Sequence, residues 1–245
     1  MLPIHLLLAG TMLTTSQGPA TGRDLIRAMH DRYSGTWYHT LSFVQHNTAT
    51  APDGKVEHST WREYAALPGR LRIEFEPAAD GKGALFANDS QYVFDADTLT
   101  RAEPFVHPLM VLGFDVYVQP VERTLGQLER LGIDLGALHE DTWQGRPAYV
   151  VGAKPGDLHG RQFWIDRERL VFVRMLEPGR RDSTKTSETR FNRYEARGGA
   201  WLSPEVEFLS DGRQRWLEQY VEIRTDMPLA DALFDARKWN SASRR

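Results

Sequence analysis

Histidine and carboxylate pairs are the residues of this sequence whose types could do chemistry, and none of them completes a known constellation. His46 and His58 flank the turn Ala51-Pro-Asp-Gly54 and could approach each other across a hairpin, as the start of a zinc site. Zinc needs three or four converging ligands, and with no third partner in view the two are expected to be solvated or packed histidines. His139-Glu140 opens like a zinc-protease helix, but Trp143 stands where the second histidine would be needed. Asp95-Ala-Asp97 opens like a calcium loop, yet Leu99 and Thr100 take the next ligand and glycine positions, which leaves a turn. Glu205 and Glu207 lie two apart and share one strand face, an arrangement common to glycosidase pairs and to wet sheet surfaces. No Gly-x-Ser-x-Gly motif and no phosphate loop occurs. The expectation is no catalytic residue, no metal and no cofactor.

The elements that would position any site are strands. In Arg70-Leu-Arg-Ile-Glu-Phe-Glu-Pro77, Leu71, Ile73 and Phe75 point one way while Arg70, Arg72, Glu74 and Glu76 point the other. This period of two predicts a sheet with one apolar and one wet face. Ahead of it, Thr21 and Asp24 form a capping-box-like start to a helix carrying Leu25, Ile26, Met29 and Tyr33 on one face and stopping at Gly35. Strands are expected from Thr36, over 55–65, 70–76, 91–94 and 99–105. An apolar stretch over 104–117 and a short helix opened by Pro120 follow. Seven more strands are then expected over 139–143, 146–153, 161–166, 170–176, 184–197, 201–209 and 213–225, with hairpin turns at Gln144-Gly145 and Asp211-Gly212. A sheet of about eleven strands should curl, giving an open, incomplete antiparallel β-barrel with a helical lid.

Composition narrows the function. The sequence has 245 residues and a formal net charge of −3, which excludes a binder driven by phosphate neutralisation, so no nucleic acid is expected. Cysteine is absent, which removes disulfides, thiolate chemistry and a lipidated anchor. The first twenty residues carry no Asp, Glu, Lys or Arg, and 2–13 is mostly apolar. That stretch is shorter than the roughly 20 residues a membrane-spanning helix needs, so residues 1–20 are expected to be a signal peptide cut after Ala20. Residues 21–240 would form a single domain and 241–245 a flexible tail.

The order of motifs resembles the periplasmic lipoprotein-carrier superfamily, which groups the soluble LolA-type carrier, its LolB-type outer-membrane acceptor and the lipid-sensing domain of RseB-type regulators. The resemblance rests on Trp61, then Pro68-Gly-Arg-Leu-Arg-Ile-Glu-Phe-Glu-Pro77, then Asn88-Asp-Ser-Gln-Tyr-Val-Phe-Asp-Ala-Asp97. Gly160-Arg-Gln-Phe-Trp-Ile-Asp166, Leu170-Val-Phe-Val173 and the closing segment 229–234 extend it over most of 21–240. Ser90 and Ala96 replace a glycine and a proline of the pattern, and Leu67 stands where the best-known carriers place a basic residue before the turn proline.

The resemblance implies an open barrel with a helical lid over an apolar cavity that shields acyl chains from water. Each buried methylene is worth about 0.8 kcal/mol, so a long chain does not cross water unshielded. Leu41, Phe43, Trp61, Ile73, Phe75 and Phe94 are expected to line the wall, and Leu109, Met110 and Leu112 the lid. The leading expectation is a soluble periplasmic carrier of lipid or lipoprotein acyl chains, without catalysis or stable membrane anchor, meeting inner- and outer-membrane transport machinery. The alternatives are a lipid- or lipoprotein-sensing module of an envelope stress regulator, an enzyme built on dispersed carboxylates, and a structural barrel whose apolar residues fill a packed interior with no ligand.

Overall fold

The computed structural model describes residues 18–242, so most of the expected leader over 1–20 and the last three residues of the tail lie outside it. Helix α1 (Gly22–Tyr33) begins as its sequence requires: Thr21 Oγ1 accepts the Asp24 N–H at 3.2 Å, and the Asp24 carboxylate accepts the Thr21 N–H at 3.1 Å. This reciprocal cap satisfies two of the donors that a helix start leaves open. Leu25, Ile26 and Met29 are fully buried, each contributing roughly 1.5–3 kcal/mol by leaving water.

Two meanders follow. The first runs through β1 (Thr40–Thr50), β2 (Val56–Ala66), β3 (Arg70–Phe75), β4 (Gly83–Ala87), β5 (Ser90–Asp95) and β6 (Thr98–Pro104). The chain then crosses the inner face as α2 (Pro108–Gly113), a 3-10 turn at Asp115–Tyr117 and α3 (Val121–Arg130). The second meander runs through β7 (Leu138–Trp143), β8 (Arg146–Val151), β9 (Gln162–Asp166), β10 (Val171–Pro178), β11 (Thr186–Asn192), β14 (Glu205–Ser210) and β15 (Arg213–Thr225). Between β11 and β14, β12 (Glu195–Arg197) and β13 (Ala200–Leu202) form a separate ribbon.

The thirteen sheet strands take the order β6-β5-β4-β3-β2-β1-β15-β14-β11-β10-β9-β8-β7, all antiparallel, with β6 and β7 as its two ends. Every neighbouring pair except one joins strands adjacent along its own meander. The exception is the seam where β1 meets β15, pairing Leu41 with Thr225 and Ala49 with Trp216. The result is a mainly β, open sheet under a helical cover, with thirteen strands rather than about eleven.

Strand β4 is the sheet strand the sequence does not show, and two further breaks set off the β12–β13 ribbon. Strand β4 is buried at all five residues, so Gly-Ala-Leu-Phe-Ala shows no alternation to reveal it. The stretch over 184–197 is broken at Arg193, which takes φ +58°, and the stretch over 201–209 is broken at Pro204, which offers no N–H to a ladder.

The outer face of β3 is also not wet. Arg72 and Glu74 are 1% and 4% exposed, because the C-terminal segment crosses them. Leu233, Phe234 and Trp239 pack there with Leu85 and Phe94, and Arg72 holds the segment through the carbonyls of Leu233 (3.1 Å) and Trp239 (2.7 Å). Gly83 makes this close approach feasible. A Cβ at that position would lie 2.1 Å from the Ile73 carbonyl oxygen and 2.7 Å from the Trp239 ring. Gly83→Ala is therefore expected to cost about 3 kcal/mol, measured as a lowered urea midpoint; an unchanged midpoint would show that β4 and Trp239 separate freely.

Candidate ligand-binding site

The inner face of the first meander, the β15 and β14 strands beyond the seam, and the α2 segment enclose a cavity of about 300 Å³. Period-two alternation sets its wall: Leu41, Phe43 and Gln45 from β1; Trp61, Glu63 and Ala65 from β2; Leu71, Ile73 and Phe75 from β3. Ala84 and Phe86 continue the wall on β4, and Glu218 and Tyr220 face them from β15. His107, Leu109, Met110 and Phe114 form the cover. Aromatic rings pack along one side: Phe75 against Trp61 (4.7 Å), Trp61 against Trp216 (5.3 Å) and Phe43 on Tyr220 (4.1 Å). A wider depression of about 570 Å³ adjoins the cover, sharing His107, Leu109 and Phe208 with the cavity and carrying Arg180, Arg181, Asp182 and Lys185.

Leu41, Phe43, Trp61, Ile73, Phe75, Leu109 and Met110 lie together on the cavity. Two of the expected lining residues do not. Phe94 pairs with Gly83, which pairs with Glu74, and this parity puts it on the outer face, stacked on Trp239 at 4.2 Å. Leu112 is fully buried within the main core rather than on the cavity. Gln45, Glu63, His107, Phe191, Phe208, Glu218 and Tyr220 also line the cavity; for Gln45 and Glu63 the sequence carries a signal, since each sits two residues from an expected lining position on its own strand.

The two carboxyl groups set the electrostatics. Glu63 is 5% exposed and, among the described residues, accepts no hydrogen bond. Burial first, and then the Glu218 charge, raises its carboxyl well above the usual range. Glu218 accepts from the Tyr220 hydroxyl (2.8 Å) and the Trp216 indole N–H (3.1 Å). Burial pushes its carboxyl up to about 7 despite these bonds.

The cover carries a titratable cap. His107 caps α2 by accepting the Met110 N–H on Nδ1 at 3.3 Å, and its ring lies edge-on to Phe86 at 4.7 Å. Burial lowers its imidazolium from 6.5 to about 4. The unfolded chain therefore binds the proton first, so this contribution is complete above pH 6.5 and is lost as pH falls through about 4. The raised carboxyls of Glu218 and Asp115, both at about 7, act oppositely: their contribution is complete below pH 4 and is lost as pH rises through 7. The His107 term is isolated by comparing wild type with His107→Asn, which keeps a capping group and does not titrate. Wild type is expected to lose roughly 2 kcal/mol relative to the variant between pH 7 and pH 4, followed by denaturant titration. Parallel pH profiles would place a charged or solvated ring at this cap.

Most of the other candidates for chemistry have structural partners, while His139 Nδ1 is buried without a hydrogen bond among the described residues. His46 and His58 sit beside threonine hydroxyls, Thr60 at 3.3 Å and Thr48 at 3.2 Å. Glu140 pairs with Arg167 at 2.6 Å, Glu205 with Arg193 at 3.6 Å and Glu207 with Arg190 at 3.9 Å. Among the described residues, no group of three or more His, Asp or Glu side chains could hold a metal ion, and no helix is long and apolar enough to cross a membrane.

An open antiparallel sheet with helices laid across an apolar inner face is the LolA-like fold. Solved structures with this architecture match over most of their length. A domain described as an outer membrane lipoprotein-sorting protein from Vibrio parahaemolyticus is similar at TM-score 0.63 and 11% identity, covering 89% of this chain and 97% of that one. A DUF1329 family protein from Desulfovibrio piger is similar at TM-score 0.57 and 17% identity, covering 87% and 95%. A LolA superfamily protein from Nitrosomonas europaea is similar at TM-score 0.54 and 10% identity, covering 88% and 97%. No family model and no curated protein matches the sequence.

Proposed function

We propose that this chain is a soluble periplasmic carrier that binds the acyl chains of lipids or lipoproteins without catalysis. The observation that carries this reading is the cavity of about 300 Å³, walled by Leu41, Phe43, Trp61, Ile73 and Phe75 and covered by Leu109 and Met110. A space of that size lies at the small end of ligand pockets, about 300–1,000 Å³, and suits one chain; a cargo with several chains requires the α2 cover to move. The likeness to a domain described as a lipoprotein-sorting protein supports the choice of cargo class. Transfer to or from membranes would bring the carrier against inner- and outer-membrane machinery.

Native mass spectrometry of the protein purified without detergent from a bacterial envelope tests the reading. Bound lipid or acylated peptide, removed by solvent extraction and restored by adding it back, is the expected result. A folded protein that emerges bare and refuses added lipids would overturn it.

A further inference from the structure

An apolar acyl-chain cavity has no need of carboxyl groups, yet two face into this one. Glu63 projects from the centre of β2, is 5% exposed, and accepts no hydrogen bond among the described residues. Glu218 reaches the same space from β15, across the seam. Among the described residues no Lys or Arg lines the cavity, so neither carboxylate has one of them beside it there. Burying an unpaired carboxyl is costly, and such a group persists where something else satisfies it.

The surroundings indicate what that partner would be. The indole of Trp61 and the rings of Phe43, Phe75 and Tyr220 line the same space, and Trp216 packs behind Trp61. Aromatic faces carry negative quadrupole density and attract ammonium groups, most strongly where water is excluded. Carboxylates and aromatic faces on one wall therefore complement the same charge.

We propose that Glu63 and Glu218, together with the Trp61, Phe75 and Tyr220 rings, form a receptor for the ammonium group of a cationic amphiphile whose hydrocarbon tail fills the rest of the cavity. The proposal rests on the carrier reading above and specifies the polar end of its cargo. Burial raises both carboxyls, Glu63 well above the usual range and Glu218 to about 7, and so favours their neutral forms when nothing charged lies beside them. A bound ammonium reverses that balance, because it stabilises the ionised carboxylates; loading is then accompanied by proton release. The basic groups Arg180, Arg181 and Lys185 lie in the outer depression rather than in the cavity, so an anionic amphiphile gains nothing at the inner end.

Titration calorimetry of the full chain with decylammonium, decanol and decanoate at pH 7.5 tests this, since the three share one tail. Decylammonium is expected to bind about tenfold tighter than decanol, with decanoate weakest. In the Glu63→Gln, Glu218→Gln double variant, the ratio of ammonium to alcohol affinity should fall to about one. Should the double variant not fold, Glu63→Gln alone serves, because its carboxyl holds no hydrogen bond, and a clear drop in the ratio is still expected. Equal binding of ammonium and alcohol by the wild type, or a ratio unchanged in the variants, would overturn the receptor while leaving the carrier reading intact. If none of the three amphiphiles binds, the carrier reading fails and the receptor falls with it.

Discussion

Replacing Arg72 with alanine is expected to destabilise the protein by about 4 kcal/mol, more than any other single truncation on the outer face. The guanidinium is 1% exposed and makes three kinds of contact at once. Its Nε bonds to the Glu74 carboxylate at 2.6 Å, its two terminal nitrogens donate to the Leu233 and Trp239 carbonyls, and its plane lies 3.8 Å from the Trp239 ring. Alanine leaves Glu74, whose side chain is 6% exposed, as an uncompensated buried charge, and leaves two carbonyls without their donor. Denaturant unfolding measures the loss, and limited proteolysis is expected to remove the segment after Leu229 first. Arg72→Met with Glu74→Leu should recover most of the stability, because removing both charges avoids the orphan that removing one creates. A loss below about 1 kcal/mol in the single variant would mean that the C-terminal segment is held by its apolar side chains alone.

Phe75→Asp is the expected large effect on binding. Phe75 ends β3 half-buried on the cavity, with its ring on Trp61, so the backbone tolerates a polar residue there. The new carboxylate would stand where an acyl chain lies and would join Glu63 and Glu218 in one small space. Acyl-chain affinity should fall by about a hundredfold or more, read by displacement of a fluorescent long-chain alcohol. Phe94→Ala is the matched contrast. That ring stacks on Trp239 across the outer face, so its removal should cost about 3 kcal/mol of stability and leave acyl-chain affinity where it was. Should Phe75→Asp bind normally while folded, the cavity is not the acyl-chain site; should Phe94→Ala lose binding while folded, the two faces are coupled.

The contrast between those two phenylalanines shows what the sequence could reveal. Alternation is clear along β3, which mixes apolar and polar residues and turns Leu71, Ile73 and Phe75 to one side, whereas β1 has apolar residues on both faces and shows it only in part. The face of Phe94 depends on parity carried through β4, and β4, apolar at every residue but its first glycine and buried on both sides, has no period to read. Arg72 and Glu74 looked solvent-facing because charge in a strand usually is; the segment that covers them lies some 160 positions away in sequence. Glu63 and Glu218 are each ordinary in isolation. They become a pair only through the register of β1 with β2 on one side and β15 on the other.

That seam is also the costliest closure in the sheet. Each meander is built from hairpins, whose short loops close at little entropic cost and therefore form early. Joining β1 to β15 instead brings together residues as distant as Leu41 and Thr225, the largest loop closure in the sheet. The cavity straddles this join, with Phe43 and Gln45 on one side and Glu218 and Tyr220 on the other. The cavity is thus completed by the longest closure, and a ligand seated across the join would act as a rivet, adding its binding free energy to the one pairing that neither half can supply alone.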